Sequence, residues 1–300
     1  MARRLEGARA RKVGKIGPFL QVCTHLGGLS LIGDWNLPSI LVLIVVFPKR
    51  PLFSKNMQAP IAVVLAAGKG TRMKSELPKV LCEANGRPLV RYVFDALRDA
   101  GVDGLVAVVG YQADLVRERL ADVPKLDFAL QEEQLGTGHA VMMCRDQLQN
   151  HEGPVVVVAG DSPMMQSSSI RKLLEEYAAT KPACILGTLE HSDPTGLGRI
   201  VRDDQGNFIG IVEHKDATDQ QREIKEVNMS TYVFDCQKML SALDKLDNKN
   251  QQNEYYITDL PAILLAENED VRALPVLQPI EALSVNTVEQ LAEVEQAMNG

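Results

Sequence analysis

No two of the five cysteines in this chain have C-x-x-C spacing. Cys23, Cys82, Cys144, Cys184 and Cys236 are odd in number and far apart. That excludes a structural zinc site of the usual spacing and reads as reduced thiols in a cytoplasmic protein. A membrane-spanning run is also missing. The most apolar stretch, residues 39–47, is less than half of the roughly 20 residues a bilayer requires, which excludes stable insertion. There is no internal repeat, and in particular no hexapeptide repeat. Positive charge is in deficit: the net charge is −7. Residues 1–56 hold nine Lys and Arg against two Asp and Glu, which leaves 23 against 37, or −14, for the remainder. So acidic a body argues against nucleic acid as a partner. It leaves room for a nucleotide, because a few cations on one loop suffice for that.

Residues 1–56 differ in texture from the rest of the chain. Residues 1–16 are basic, residues 39–47 are apolar, and the only tryptophan, Trp35, lies between them. A secretory signal would place its apolar run earlier, with small residues at the cleavage site where Pro48-Lys49-Arg50-Pro51 stands. The expectation is an extension over 1–56, disordered or outside a working protein that starts at Met57. The alternative is a membrane-surface anchor. No packed fold is expected for residues 1–35, and 39–47 would be an aggregation liability.

From Ile61 onward, short apolar runs alternate with amphipathic segments. The pattern predicts strands over 61–65, 105–109, 128–131, 155–159 and 183–189. It predicts helices over 89–100, 113–120, 137–148 and 170–180. This order implies an α/β fold with a mostly parallel sheet, helices on both faces, and ligands at the carboxyl ends of the strands. After Leu189 the texture changes. Asp203-Asp204-Gln205-Gly206-Asn207 between 199–201 and 208–212 is a hairpin signal. Tyr232–Asp235 reads as a further strand and Gln290–Met298 as a closing helix.

The most informative stretch is Leu65-Ala66-Ala67-Gly68-Lys69-Gly70-Thr71-Arg72-Met73, followed by Leu77-Pro78-Lys79. Two glycines let backbone N–H groups approach a ligand. Lys69, Arg72 and Lys79 supply charge for a polyphosphate. The loop lacks the Walker spacing, and Met73 stands where a dinucleotide loop needs its third glycine. A second motif, Gly160-Asp161-Ser162-Pro163, follows a valine-rich strand. Asp161 is placed to hold Mg²⁺ against phosphate oxygens, or else to cap the next helix. A third runs from Gln131 to Ala140 and contains Gly136-Thr137-Gly138-His139. An amide at a strand end can pair with a base edge, and the alternative is a flexible loop leading into a helix. Gly198 in a glycine-rich turn, Glu213 after a strand, and Asn228 offer hydrogen bonds to a sugar. Asn286 reads as a helix cap, a neutral metal ligand, or both.

Together these motifs resemble the bacterial N-acetylglucosamine-1-phosphate uridylyltransferases, the amino-terminal half of a bifunctional enzyme, over roughly residues 60–298. Ile211-Val212-Glu213-His214-Lys215-Asp216-Ala217-Thr218 and Asn253-Glu254-Tyr255-Tyr256-Ile257-Thr258-Asp259 carry the resemblance most specifically. It implies a Rossmann-like nucleotide-diphospho-sugar transferase fold over residues 57–300, with a small mixed β part for the sugar. It implies UTP and N-acetylglucosamine 1-phosphate as substrates, and Mg²⁺ as cofactor. Arg72, Lys79 and Asp161 would be catalytic. Leu65, Ala66, Ala67, Gly68 and Lys79 would hold the nucleotide, and Gln131, Gly136 and Thr137 would read uracil. Gly160, Gly198, Glu213, Asn228 and Asn286 would face the sugar, and Asp161 and Asn286 the metal. Nothing in the pattern predicts an oligomer. Without the hexapeptide repeats, transfer without acetylation is expected. Three residues depart from the family: Ala159, Leu197, and the pair Met229-Ser230 after Asn228. They keep open another sugar 1-phosphate or nucleotide. A non-catalytic nucleotide-sugar sensor is the reading from another class.

Overall fold

The computed structural model describes residues 58–73 and 75–300, and a pair of two-residue antiparallel strands, His25–Leu26 and Leu29–Ser30, before them. The chain divides into two units, residues 1–51 and 52–300. The expectations for the 1–56 extension, the 39–47 stretch and a start at Met57 lie outside the described residues.

In the larger unit, elements alternate as the sequence predicts. They are β1 (Ile61–Ala66), α1 (Leu89–Ala100), β2 (Gly104–Val109), α2 (Ala113–Arg119), β3 (Leu126–Leu130), α3 (Thr137–Met142) and β4 (Pro154–Ala159). α4 (Ser167–Thr180) and β5 (Cys184–Glu190) come next. Then come β6 (Gly198–Arg202), β7 (Phe208–Val212), β8 (Glu226–Asp235), α5 (Cys236–Leu243), α6 (Leu260–Ala266), β9 (Val271–Leu274) and α7 (Val288–Asn299). β1 is central, parallel to β2 on one side and to β4 on the other, and β3 is parallel to β2. β8 runs antiparallel between β4 and β5, and β9 adds parallel to β5.

Four consecutive valines in β4 are possible because the sheet is covered on both faces. Val155 and Val157 join a core with Leu148, Phe234 and Leu260; Val156 and Val158 join another with Val93, Leu97 and Leu173. Helix α1 buries Leu89, Val90, Val93, Phe94, Ala96, Leu97 and Ala100. It ends at Gly101, whose φ of 102° suits the left-handed cap that glycine takes without a Cβ penalty.

Two expectations need correction. The helix expected over 137–148 is two pieces, α3 and a turn at Arg145–Leu148, broken where Cys144 adopts φ −87° and ψ 5°. Cys144 and Leu148 are both fully buried in one core, so the apolar spacing continues through a backbone break that it cannot report. β8 begins at Glu226, six residues before its predicted start. Its register against β5 shifts between Asn228 and Tyr232, and Ser230 there has φ 50°. This bulge interrupts the alternation that marks a strand. It also lets one strand serve two neighbours: Thr231–Asp235 pairs with β4, and Val227–Asn228 pairs with β6. β6 and β7 form the predicted hairpin.

Candidate active site

The carboxyl ends of β1, β2 and β4 meet at one place; Gly110 and Gly160 directly follow β2 and β4, and Ala67-Gly68 follows β1. Gly160 N donates to Leu65 O at 2.9 Å, and Tyr111 N donates to Ala67 O at 3.0 Å. A Cβ on Gly160 would lie 2.9 Å from Leu65 O, and one on Gly110 would lie 2.9 Å from Gln131 O. Both positions therefore require the backbone approach that only glycine allows. Gly68 has open space around it, whereas Gly70, at φ 67°, packs against the stem of Lys79. Lys69 lies over the Tyr111 ring, 5.2 Å from its centroid. Gly110 and Tyr111 were missed in the sequence, although the strand-then-glycine signal marks them as it marks Gly68 and Gly160.

Four of the expected residues converge here. Lys79 Nζ forms an ion pair with the Asp161 carboxylate and donates to Asn286 Oδ1 at 2.7 Å. Arg72 Nη2 donates to the same oxygen at 3.0 Å. The Lys79 side chain is only 12% exposed, so its charge is held in place rather than solvated. Val285 N donates to Asp161 O at 3.3 Å and joins the Asn286 segment to the end of β4. Of the two readings of Asn286, the cap is corrected: Thr287 caps α7, its side chain accepting from Gln290 N. The Asn286 oxygen is left to face the cations.

The Asp161 carboxylate and the Asn286 amide oxygen aim at one point, and the Lys79 ammonium stands there. That is a fit for a hard cation with oxygen ligands. Among the described residues, no group of three or more His, Cys, Asp and Glu could hold a metal. A divalent ion would therefore take one carboxylate and one amide from the protein and its other ligands from phosphate or water.

Gln131, 3% exposed, sits at the end of β3, with its N donating to Val109 O at 2.8 Å. Its Nε2 donates to Gly136 O at 3.0 Å and lies 3.1 Å from His139 Nδ1. The Gly136–Gly138 turn is clamped by a segment distant in sequence. Gly138 N donates to Tyr255 O at 2.7 Å, and Tyr255 N donates to Leu135 O at 2.8 Å. Gly136 has φ 112°, and a Cβ there would lie 2.5 Å from Tyr255 O. Thr137 Oγ1 accepts from Ile257 N at 3.1 Å, so one lone pair of this expected base reader is already engaged. The clamp gives the Asn253–Asp259 motif its place.

Gly198, Glu213 and Asn228 also come together. Gly198 pairs with Asn228 in the β6–β8 ladder, and a Cβ on Gly198 would lie 3.5 Å from Glu213 Oε1. Both ends of the Asn228 amide are fixed: Nδ2 donates to the buried Tyr232 Oη at 2.7 Å, and Oδ1 accepts from Ser230 N at 3.3 Å. Burial pushes the Glu213 carboxyl up, with Asp216 adding repulsion, while a Thr258 hydrogen bond draws it back.

Two of the three departures pack as a pair. Leu197 and Met229 flank Gly198 and Asn228, and both pack on a cluster of Leu189, Val227 and Leu277. Val227 of that cluster precedes Asn228 in β8, and side chains alternate along a strand, so the cluster lies on the side of the ladder opposite the Asn228 side chain. Ser230, where the resemblance leads one to expect glycine, has the left-handed backbone that favours glycine.

A family model described as the MobA-like NTP transferase domain matches residues 62–256. The chain is 45% identical over 237 residues to the bifunctional protein GlmU of Geobacillus thermodenitrificans and 44% identical over 237 residues to that of Limosilactobacillus reuteri. These matches cover 79% of this chain, and 51% and 52% of the relatives. The chain thus spans about half the length of the curated relatives it matches. A solved UDP-glucose pyrophosphorylase complexed with UDP-glucose superposes with a TM-score of 0.64 at 17% identity, covering 81% of this chain and 99% of that one. At that identity the likeness speaks for the fold alone.

Proposed function

The chain belongs to the family of MobA-like NTP transferase domains, and on that premise we propose that it transfers UMP from UTP to N-acetylglucosamine 1-phosphate. The products would be UDP-N-acetylglucosamine and pyrophosphate. The observation that carries this reading is the convergence of Arg72 and Lys79 on Asp161 and Asn286 at the carboxyl ends of β1 and β4. The Gly198–Glu213–Asn228 face supports an amino sugar, because it offers a carboxylate and an oriented amide. The cytoplasm is the proposed location, in keeping with the four described cysteines, all free and buried. No helix among the described residues is long and apolar enough to cross a membrane.

An oxygen of the sugar phosphate attacks the α-phosphorus of UTP. The new P–O bond forms as the bond to the β-phosphate oxygen breaks, and pyrophosphate leaves with that electron pair. The nucleophile is already anionic at neutral pH, so no side chain need remove a proton. What remains is positioning and charge. The turn Leu65–Gly68 brings its backbone to the nucleotide. Lys79 and Arg72 carry the charge that meets the transferred and leaving phosphates. Asp161 and Asn286 would hold Mg²⁺, which when bound supplies charge neutralisation at phosphate oxygens. Gln131, with Gly136 and Thr137, faces the base. Gly160 lets β4 close against Leu65 and so sets where Asp161 stands.

Pyrophosphate release with UTP and Mg²⁺ tests the reading, with N-acetylglucosamine 1-phosphate, glucosamine 1-phosphate and glucose 1-phosphate supplied in turn. The N-acetyl sugar should be preferred. Preference for another sugar would keep the mechanism and move the substrate, a second reading for which Ala159, at the end of β4, is the remaining motive. Silence with all three would favour the sensor. Asp161→Ala should abolish turnover. Lys79→Ala should lower it by roughly 10²–10³, as loss of one preorganised charge donor does. Near-normal turnover in either variant counts against the assignment.

A further inference from the structure

His139 has no part in the proposed transfer, since no proton needs to move. Its ring is nevertheless built into the surroundings of Gln131. His139 lies in the first turn of α3, whose start is clamped by Tyr255, and the two rings are 6.3 Å apart between centroids. Its Nδ1 is 3.1 Å from Gln131 Nε2, and that nitrogen also donates to Gly136 O at 3.0 Å.

These contacts fix which way the Gln131 amide points. A backbone carbonyl can only accept, so the amide nitrogen, not its oxygen, must face Gly136. One N–H of Nε2 is then engaged. The other meets His139 Nδ1, which can accept it when the ring proton is on Nε2. With both N–H groups held and the residue buried, Gln131 has only its Oε1 left to offer. An acceptor in that place suits a base with a hydrogen on its ring nitrogen, as uracil has at N3. Cytosine carries a lone pair at the same ring position and would set two acceptors against each other.

We propose that His139 is a positioning residue that holds the Gln131 amide with its oxygen toward the base, and thereby selects a pyrimidine with a ring N–H over cytosine. The inference rests on the reading that Gln131 faces the base.

The test is steady-state kinetics of the full chain with UTP and with CTP at saturating sugar phosphate. The proteins compared are the wild type, His139→Leu, His139→Asn, Gln131→Ala and the double variant His139→Leu/Gln131→Ala. Wild type should prefer UTP. His139→Leu keeps bulk but loses the acceptor. It should raise the KM for UTP on the order of tenfold with little change in kcat, and lower the UTP-over-CTP preference to match. His139→Asn, which can place an amide oxygen where Nδ1 accepts, should restore most of the preference. Gln131→Ala should lose it, and adding His139→Leu to that variant should cost little more. If Gln131→Ala loses the preference while His139→Leu keeps it, the positioning role is overturned and the base-facing reading stands. If Gln131→Ala keeps the preference, the base-facing reading fails, and this inference with it. Should His139→Leu not fold, as judged by its melting curve, His139→Ala takes its place under the same criteria.

Discussion

The Asp259 carboxyl is pushed up to about 6, first by burial and then by the charges of Glu213, Asp247 and Asp216. The ordinary value is 3.8, so the fold binds this proton more tightly than the unfolded chain does. The associated stability is fully present below about pH 4 and is lost as pH rises through about 6. At neutral pH the ionised group therefore opposes folding. Asp259→Asn should be more stable than wild type at pH 7.5 by on the order of 1 kcal/mol, after allowance for the group's partial exposure. The gap should close below about pH 4. Urea unfolding at the two pH values checks both the sign and the window; a gap unchanged with pH would contradict it. The residues proposed for phosphate chemistry stood out in the sequence because glycine and cation types there have few other uses, and the structure brings Arg72, Lys79, Asp161 and Asn286 into contact. Residues that orient other candidate side chains did not stand out. Tyr232, which fixes the Asn228 amide, reads as one more apolar residue in a buried strand.

Among the elements, the short turn Pro279–Ala282 does more than its length suggests. Its Glu281 is 7% exposed. The carboxylate accepts from Gln166 N at 3.0 Å, Ser169 Oγ at 2.5 Å and Gln278 N at 2.7 Å. It thereby ties the first turn of α4 to the segment that leads into Asn286. Glu281→Ala would leave these donors without their partner and should destabilise by about 3 kcal/mol. Turnover should fall through misplacement of Asn286. Thermal melting and a pyrophosphate assay on the same sample would separate the two effects, and an unchanged melting temperature would refute the first. Glu281 was missed because an isolated glutamate between Ile280 and Ala282 has no local signature. The same limit explains α5, α6 and β9. Their apolar faces are short and are completed by contacts across the sheet, whereas α1, with seven buried positions in twelve residues, declares its period by itself.

At the scale of the whole molecule, the α/β order was legible as far as β5, because each strand before it is followed by a helix. The antiparallel insertion was not, since β8 has no neighbour in sequence among its pairing partners. Among the described residues, β4 has β1 on one side and only β8 on the other, and β5 has only β8 and β9. A chain ending near residue 225 would therefore leave Val155–Val158 as an open edge of valines, the kind of edge that seeds association. Such a fragment should appear in the insoluble fraction and scatter light on dilution from denaturant; a soluble monomer with native-like circular dichroism would contradict this. The consequence reaches into the timing of synthesis. The strand that covers the β4 edge, Glu226–Asp235, is also the strand that carries Asn228. On the ribosome, the segment that shields those valines from association is therefore the one that brings in the amide proposed to face the sugar.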